Sequence, residues 1–301
     1  MRVLIAGGSG LIGRALIESL TRDSHQALVL SRAPQRQRGL PSGVRAVGWD
    51  GETLGPWVAD LAACDAVVQL AGESIFGRWT AAKKRRLHDS RVRSSRLIAE
   101  AIAAAPRRPA VLVQGSAVGY YGDTSEAVVD ERSPAGSDFL ATLARDWEAA
   151  SASVEPFGVR RPVARTAVVL AREGGALPQV TRACRLFAGG PLGSGRQWFP
   201  WIHQADEVGA IRFLLEAPAA TGPFNLVAPE PVRNADFVRA VAATLHRPTW
   251  LPAPAFALRL ALGELGDVLL AGQRAMPERL QALGFSFRFP TLAAAIADLL
   301  R

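Results

Sequence analysis

Cysteine and lysine are both scarce in this sequence. Cys64 and Cys184 are the only cysteines among 301 residues, and they can neither form a disulfide framework nor supply the spacing of a metal site. We therefore expect no bound metal. Lysine occurs only as Lys83 and Lys84, so arginine carries almost all of the positive charge behind the net charge of +8. Together with the many alanines, this usage indicates biased codon composition more than a surface selected to bind polyanions.

Long apolar segments and a secretion signal are also missing. The segment closest to a membrane span, residues 256–270, is interrupted by Arg259 and two acidic residues, whereas a spanning helix needs about 20 apolar residues. Met1 leads directly into an apolar run, without the basic region and cleavage site of a signal peptide. We therefore expect a cytoplasmic protein that does not act in a membrane.

The sequence does contain a regular alternation of elements within an ordinary globular composition. Hydrophobic residues make up 49% and charged residues 21% of the chain, which is typical of a packed domain. Short β-branched runs alternate with amphipathic stretches, the pattern of a parallel sheet covered by helices on both faces. Strands are predicted at residues 2–6, 27–31, 44–49, 66–70, 110–115 and 163–170, and helices at 11–20, 81–105, 139–152, 205–216, 235–245 and 291–300.

This pattern predicts an α/β fold with two parts. A Rossmann-like doubly wound parallel sheet is expected over residues 1–172, followed by a smaller C-terminal α/β part over residues 173–301 that binds the substrate. The alternation loosens after the first part, where residues 189–193 and 198–201 are predicted to be loops. We expect the two parts to interleave across an approximate boundary.

A glycine-rich turn follows the first predicted strand and opens the first predicted helix. In this turn Gly7 permits a tight bend, Gly10 lets phosphates approach, and Gly13 lets the helix lie close to the sheet. The helix N-terminus behind such a turn directs backbone N–H groups at an anion. Because the glycines stand between a strand and a helix, with a second strand about twenty residues further on, they predict a dinucleotide site.

The residues after the second strand distinguish the two nicotinamide cofactors. NAD sites place an acid there for the ribose 2′-hydroxyl, whereas NADP sites place a basic group against the 2′-phosphate. This chain has Ser31 and Arg32 at that point and no acid. The pattern favours NADP(H), with an arginine that is merely solvated as the alternative interpretation.

More specific motifs are distributed along nearly the whole chain. They are Gly-x-x-Gly-x-x-Gly at 7–13, Leu-Ala-Gly at 70–72, Ala-Gly-Glu-Ser-Ile at 71–75, Ser-Arg at 90–91, Gly-Ser-Ala-Val-Gly-Tyr-Tyr-Gly at 115–122, Asp-Trp-Glu at 146–148, Gly-Gly-Pro-Leu-Gly-Ser-Gly at 189–195, Trp-Ile-His at 201–203 and Gly-Phe at 284–285. With these motifs the chain resembles the extended short-chain dehydrogenase/reductase superfamily, and within it the atypical branch of epimerase family proteins.

The resemblance implies a set of cofactor-binding residues. Those matching the pyrophosphate loop are Gly7, Gly10, Leu11, Ile12 and Gly13; those matching the 2′-phosphate binders are Ser31 and Arg32; those matching the segment under the adenosine ribose are Leu70, Ala71 and Gly72. Glu73 and Arg91 match positions of the branch beside the cofactor. For these last two residues a structural ion pair is an equal alternative.

The usual catalytic pair of the superfamily is absent. Its reductases combine a serine, here Ser116, with a Tyr-x-x-x-Lys pair on the next helix, where the tyrosine passes the proton and the lysine lowers its pKa. Counting back from the Asp-Trp-Glu motif, the two positions are Leu140 and Ala144, neither of which transfers protons. Tyr120 and Tyr121 are the nearest replacements, with loop packing as the alternative interpretation for both.

The second part contributes candidate residues for a substrate pocket. Trp198, Trp201 and His203 are predicted to line it, against the alternatives that the tryptophans form an interface core and that the histidine bonds to backbone at a helix start. The basic segment 83–86 lacks interleaved aromatics, so we expect a solvated helix face and no nucleic-acid partner.

These observations leave two functions open. The first is an NADP-dependent oxidoreductase or epimerase-like enzyme with an unknown small-molecule substrate, in which Ser116 polarises a carbonyl or hydroxyl. The second is an NADP(H)-binding regulatory or partner protein with little turnover, which the missing tyrosine and lysine favour. A monomer or a homodimer is expected in either case.

Overall fold

The computed structural model describes residues 1–36, 40–250 and 252–301. Within these residues the strands are β1 (Arg2–Ala6), β2 (Gln26–Ser31), β3 (Val44–Gly48), β4 (Ala66–Gln69), β5 (Val111–Ala117), β6 (Val128–Val129), β7 (Pro162–Thr166), β8 (Val168–Leu170), β9 (Trp198–Phe199), β10 (Trp201–His203), β11 (Gly222–Leu226), β12 (Val232–Arg233) and β13 (Arg274–Ala275). The helices are α1 (Leu11–Arg22), α2 (Trp57–Ala62), α3 (Ala81–Ala104), α4 (Phe139–Ala149), α5 (Leu177–Arg185), α6 (Gln204–Glu216), α7 (Asn234–Thr244), α8 (Ala255–Leu262), α9 (Glu264–Leu270), α10 (Glu278–Ala282) and α11 (Leu292–Leu299).

Seven strands form one parallel sheet in the order β11-β7-β5-β4-β1-β2-β3. The order reverses beside β1, which is the doubly wound arrangement that the alternating sequence predicted. Because all the strands are parallel, their carboxyl ends meet at one edge, where β1, β4, β5 and β7 end. A ligand of such a sheet binds at this edge.

Both faces of the sheet are covered, as the nearly continuous apolar strands require. Successive side chains of a strand point to opposite faces. Val3 and Ile5 therefore pack with helices α1 and α6, whereas Leu4 packs on the other face with α2 and α3. Leu16 of α1 and Ile98 of α3 are fully buried in these two layers. No helix within the described residues is long and apolar enough to span a bilayer.

The C-terminal part contributes to the sheet as well as to a core of its own. It supplies edge strand β11, which pairs with β7, and helix α6, which lies against α1. A separate core joins Trp201 and Phe237 to helix α11. The boundary between residues 172 and 173 stays a prediction. Strands from both sides of that boundary belong to one sheet.

Three elements differ from their predicted form. The strand expected over 163–170 is two strands, since β7 belongs to the main sheet while β8 pairs with β10. The segment 198–201, predicted as a loop, contributes to β9 and β10. The helix expected to end at residue 152 ends at Ala149, and a separate 3-10 segment follows over Ala152–Phe157.

Candidate functional site

The glycine turn after β1 has the geometry of an anion cradle. Gly7 has φ +85°, and a Cβ there would lie 2.6 Å from the backbone carbon of Leu70, so only glycine fits. At Gly13 a Cβ would lie 2.6 Å from the Cα of Gly8. Gly10 is different, because its Cβ would meet only the Gly7 carbonyl oxygen, at 3.3 Å. Since Gly10 provides no side-chain cap for α1, the first N–H groups of that helix remain available to a phosphate.

Ser31 and Arg32 lie at the end of β2, on the same edge of the sheet as the glycine turn. The Ser31 Oγ accepts a hydrogen bond from the Ala33 N–H at 3.2 Å, and its hydroxyl proton has no acceptor among residues 1–36, 40–250 and 252–301. The Arg32 side chain is exposed. Both side chains carry hydrogen-bond donors of the kind that phosphate oxygens accept, and their role at a 2′-phosphate stays a prediction.

The segment after β4 passes beneath Arg91. A Cβ at Gly72 would lie 3.0 Å from the Arg91 guanidinium carbon, and the same guanidinium lies 5.2 Å from the centre of the Trp147 ring. Burial lowers the pKa of Arg91 to about 10, and the negative charge of Glu73 opposes that shift. Ala71 belongs to this segment, and its N–H donates to the Gln69 Oε1 at 3.1 Å.

Glu73 is bound to the basic segment of α3. The Lys83 Nζ donates to the Glu73 Oε1 at 2.8 Å, and this hydrogen bond lowers the pKa of Glu73. Lys84 pairs with Glu264 in the same region. Both lysines of segment 83–86 are therefore paired with acids and largely covered, with 12% of the Lys83 side chain and 29% of the Lys84 side chain exposed. Arg85 and Arg86 are exposed, so only part of the segment forms the solvated helix face that was expected.

A cavity of about 540 Å³ opens at the carboxyl edge of the sheet, between α4, α9 and the segment 198–200. The predicted residues that line it are Leu11, Ile12, Leu70, Arg91, Ser116 and Trp198. Leu140 and Ala144, the positions of the missing tyrosine and lysine, line it as well. The structure thus brings the glycine loop, the serine and the two replaced positions to one chamber.

Ser116 lies at the end of β5 and is tied to a buried ion pair. Its hydroxyl donates to the Glu148 Oε1 at 2.6 Å. Arg165 holds both oxygens of that carboxylate, with Nε 2.8 Å from Oε1 and Nη2 2.9 Å from Oε2. Such a bidentate pair fixes the carboxylate plane. Glu148 and Arg165 therefore orient the serine hydroxyl, a relation that the sequence motif alone did not reveal.

The two tyrosines after Ser116 support Arg165 and lie away from the cavity lining. The Tyr121 hydroxyl accepts from the Arg165 Nη1 at 2.9 Å and donates to the Asn225 Oδ1 at 2.8 Å. Burial raises the pKa of Tyr121 to about 12. The ring of Tyr120 lies 3.5 Å from the Arg165 guanidinium carbon. This placement favours the packing interpretation over proton transfer for both residues.

Trp201 and His203 also lie outside the cavity lining. Trp201 is fully buried, and its indole N–H donates to the Glu230 carbonyl at 3.1 Å. The His203 Nδ1 accepts from the Ala205 N–H at 3.0 Å at the start of α6, and the ring stacks on Phe289. Burial lowers the pKa of His203. Both residues therefore match the structural alternatives stated for them, a core tryptophan and a helix-start histidine.

Glu207 is a site-proximal acid that the sequence did not single out. It is fully buried on α6, and its Oε1 accepts from the hydroxyl of Thr166 at 2.8 Å. Thr166 in turn lines the cavity. Burial raises the pKa of Glu207 to about 8, so the group is mostly protonated at neutral pH. An acid in the first turn of a helix is ordinarily exposed and complements the positive end of the helix dipole. The position of Glu207 in the sequence therefore gave no sign that it is buried.

Glu207 is expected to make stability fall as the pH rises. The unfolded chain releases this proton near pH 4.5, whereas the folded protein retains it up to about pH 8. The folded state binds more protons between these values, so the free energy of unfolding decreases across that window. Glu207→Gln should flatten this decrease, measured by urea denaturation at pH 5, 6.5 and 8. Glu216→Gln, at the exposed end of α6, is the matched control; an unchanged slope in Glu207→Gln would refute the assignment.

Among residues 1–36, 40–250 and 252–301, no group of three or more His, Cys, Asp or Glu side chains is arranged to hold a metal ion. The site instead has the features of a dinucleotide chamber. It combines a glycine turn at the end of the first strand, an uncapped helix N-terminus and a cavity at the carboxyl edge of a parallel sheet. These features define a Rossmann-type dinucleotide-binding protein.

Comparison with known proteins places the chain within this class. It belongs to the NAD-dependent epimerase/dehydratase family, whose sequence profile matches residues 3–227. A domain of unknown function, DUF1731, matches residues 253–299. The family predicted from the motifs and the Rossmann-like fold are therefore both confirmed.

Several known proteins are similar over the full chain. The crystal structure of human epimerase family protein SDR39U1 with NADPH superposes with a TM-score of 0.87 at 36% identity, covering 99% of both chains. A nucleoside-diphosphate sugar epimerase from Corynebacterium glutamicum gives a TM-score of 0.81 at 33% identity, covering all of this chain and 58% of that one. An epimerase family protein of Arabidopsis thaliana, named as chloroplastic, is 38% identical over 100% of this chain and 87% of its own. Because of that relative, the cytoplasmic location stays a prediction.

Proposed function

We propose that this protein is an NADP(H)-dependent oxidoreductase of the extended short-chain type. One observation carries the proposal: Leu11 and Ile12, at the glycine turn, line the same cavity as Ser116 at the end of β5. A dinucleotide held at the turn would extend towards that serine. The NADPH in the human relative, and the Ser31–Arg32 pair without an acid, support NADP(H) over NAD(H).

The residues of this chain can bind and orient both ligands. The N-terminus of α1 and the glycine turn would hold the pyrophosphate, and Ser31 with Arg32 would hold the 2′-phosphate. The nicotinamide ring, when bound, supplies hydride transfer. Ser116 donates its proton to Glu148, so the serine oxygen offers its lone pairs to the cavity. It is therefore suited to accept a hydrogen bond from a substrate hydroxyl.

A second candidate function is an NADP(H)-binding protein with little turnover. The observation in its favour is that Leu140 and Ala144 line the cavity where the superfamily's tyrosine and lysine stand. General acid–base catalysis typically contributes about 10²–10⁴-fold to a rate. An enzyme without that pair is expected to be slow unless another group moves the proton.

The preference for NADP(H) depends on Arg32. In Arg32→Ala, the loss of one charge-assisted contact of about 1.5–3 kcal/mol should weaken NADPH binding by roughly 10- to 150-fold. NADH binding should change little, because that cofactor has no 2′-phosphate. Calorimetry with both cofactors measures the difference, and Arg22→Ala, at the exposed end of α1, serves as the control. Equal affinity of the wild type for NADPH and NADH would refute the assignment.

Ser116→Ala tests the catalytic proposal. We expect at least about a tenfold loss of turnover, measured with NADPH on ketones and with NADP⁺ on alcohols and sugar nucleotides, with NADPH affinity within twofold of the wild type. Ser151→Ala is the matched control, because Ser151 is equally buried but does not line the cavity. Tyr120→Phe and Tyr121→Phe test the alternative proton donors. If either is inactive while Ser116→Ala retains full activity, the role assigned to Ser116 is wrong; a wild type that binds NADPH without any turnover favours the binding protein.

A further inference from the structure

The cavity wall beyond the glycine turn is mostly apolar, although Ser74, Gln197, Asn234 and Gln273 also line it. Helix α4 contributes Leu140, Leu143 and Ala144, and α9 contributes Val268 and Leu269. Other apolar residues of this wall include Ile75, Phe76, Trp147, Leu192, Trp198, Phe199, Pro200 and Leu265. Phe76 also forms part of the rim, where 55% of its surface is exposed. A ligand on this side of the chamber meets hydrocarbon from both helices and at the entrance.

Arg91 is the one charged side chain that lines the cavity within the described residues, and it faces the cofactor segment. Its guanidinium lies against Gly72 and Trp147, and its Nη1 donates to the Leu87 carbonyl at 3.1 Å. The N-terminus of α5 also borders the chamber, but Gly175 there lies against Leu11 of the glycine turn. Both positive features therefore serve the cofactor end, and a second diphosphate would find no cationic partner elsewhere in the lining.

Each amide side chain of the lining is held by the protein through one of its two polar atoms. Gln197 donates to the carbonyls of Leu192 and Leu269, each at 3.1 Å. Gln273 donates to the Gly122 carbonyl at 2.7 Å, and Asn234 accepts from the Leu192 N–H at 2.8 Å. These bonds fix the orientation of the three uncharged amides in the wall.

Ser116 is the polar group that meets a substrate oxygen on the α4 side of the chamber. Thr166 also lines the cavity, from the neighbouring strand β7, but Ser116 is in register with Arg165, so the Thr166 side chain points to the opposite face of the sheet, towards Glu207 on α6. The Ser116 hydroxyl donates to Glu148, so its oxygen can accept a hydrogen bond from a substrate hydroxyl, while the rest of the ligand packs against hydrocarbon.

We propose that the substrate is an uncharged, largely apolar alcohol, and not a sugar nucleotide. Its hydroxyl donates to the Ser116 Oγ, and its hydrocarbon body lies between α4 and α9. This inference rests on the oxidoreductase function proposed above and specifies its substrate class. It follows from the distribution of charge in the lining, which offers one oxygen-binding end and no site for a substrate diphosphate.

The test uses the full chain loaded with NADPH. Saturation-transfer NMR is recorded with 2-decanol and with UDP-glucose as probes. We expect saturable binding of the alcohol and none of UDP-glucose. Binding of UDP-glucose, or no saturable binding of 2-decanol, overturns the proposal.

Two lining variants and one outer-face variant show whether the probe occupies this chamber. Val268→Asp places a charge in the wall and should weaken binding of the decane probe by at least about tenfold; Leu140→Asn on the opposite wall should weaken it in the same direction. The control is Leu260→Asp. Leu260 lies on α8, which packs against α9, and its side chain faces outward with 77% of its surface exposed, so this variant should have no effect. Equal losses in all three variants, or none in the two lining variants, overturn the assignment.

NADPH affinity is measured in the same samples and separates the two proposals. If NADPH does not bind, the oxidoreductase function fails, whatever the probes do. If NADPH binds and UDP-glucose is the probe that saturates, only the substrate class is wrong. Retained NADPH affinity also shows that Val268→Asp and Leu140→Asn are folded.

Discussion

Gly10→Val is expected to abolish dinucleotide binding while the protein remains folded. Gly10 has φ −76° and ψ 176°, an extended backbone conformation that valine adopts readily. Its Cβ would meet only the Gly7 carbonyl oxygen at 3.3 Å, so the protein itself has room for the side chain. The methyl groups would instead fill the space before the uncapped N-terminus of α1, where a pyrophosphate binds.

The expected loss follows from the hydrogen bonds that a valine would block. Each bond between a backbone N–H and a charged phosphate contributes about 1.5–3 kcal/mol, so losing two of them weakens NADPH binding by more than about 100-fold. Calorimetry measures the affinity, and thermal unfolding measures the fold. A Gly10→Val protein that retains near-native NADPH affinity would contradict the assignment of this turn.

Gly13→Ala provides the contrast within the same turn. There a Cβ would lie 2.6 Å from the Cα and 2.9 Å from the carbonyl carbon of Gly8, which are backbone atoms that cannot move without opening the turn. This variant should lower the midpoint of thermal unfolding clearly, whereas Gly10→Val should leave it nearly unchanged. The pair separates a glycine needed by the ligand from a glycine needed by the fold.

The features that the sequence predicted correctly are encoded locally. A strand, a glycine turn and a helix follow one another within residues 2–22, so short-range pattern and backbone freedom suffice to place them. The five strands β1 to β5 were likewise predicted to within two residues at each end, because fully buried parallel strands show as continuous apolar runs. The same counting along α4 placed Leu140 and Ala144 at the positions that now line the cavity.

The features that the sequence did not reveal depend on contacts between distant residues. Tyr121 bonds to Asn225, 104 positions further along the chain, and to Arg165, 44 positions further. No local pattern distinguishes such a buried tyrosine from a catalytic one at the mouth of a cavity. Glu148 was read only as part of a family motif, because its bond to Ser116 requires helix α4 to pack on the end of β5.

Arg165→Met is expected to be among the most destabilising substitutions in this chain. Only 4% of the Arg165 side chain is exposed, and it bonds both oxygens of Glu148 and the hydroxyl of Tyr121. Methionine keeps much of the volume but leaves the Glu148 carboxylate buried without its partner. Removing one member of a buried pair costs about 3–5 kcal/mol, which urea denaturation measures directly. In the exposed pair with Glu18, Arg22→Met should cost less than about 1 kcal/mol.

The double variant Arg165→Met with Glu148→Gln determines whether this loss is a property of the pair. Each single variant leaves one buried charge uncompensated, whereas the double variant leaves none, so it should be more stable than the sum of the two losses predicts. Coupling between contacting groups is of the order of 0.5–3 kcal/mol, and we expect the upper half of that range because the contact is bidentate. Strictly additive losses would show that Arg165 and Glu148 act independently. In that case Arg165 does not fix the Glu148 carboxylate that accepts from Ser116. The pair would then not orient the serine hydroxyl at the cavity.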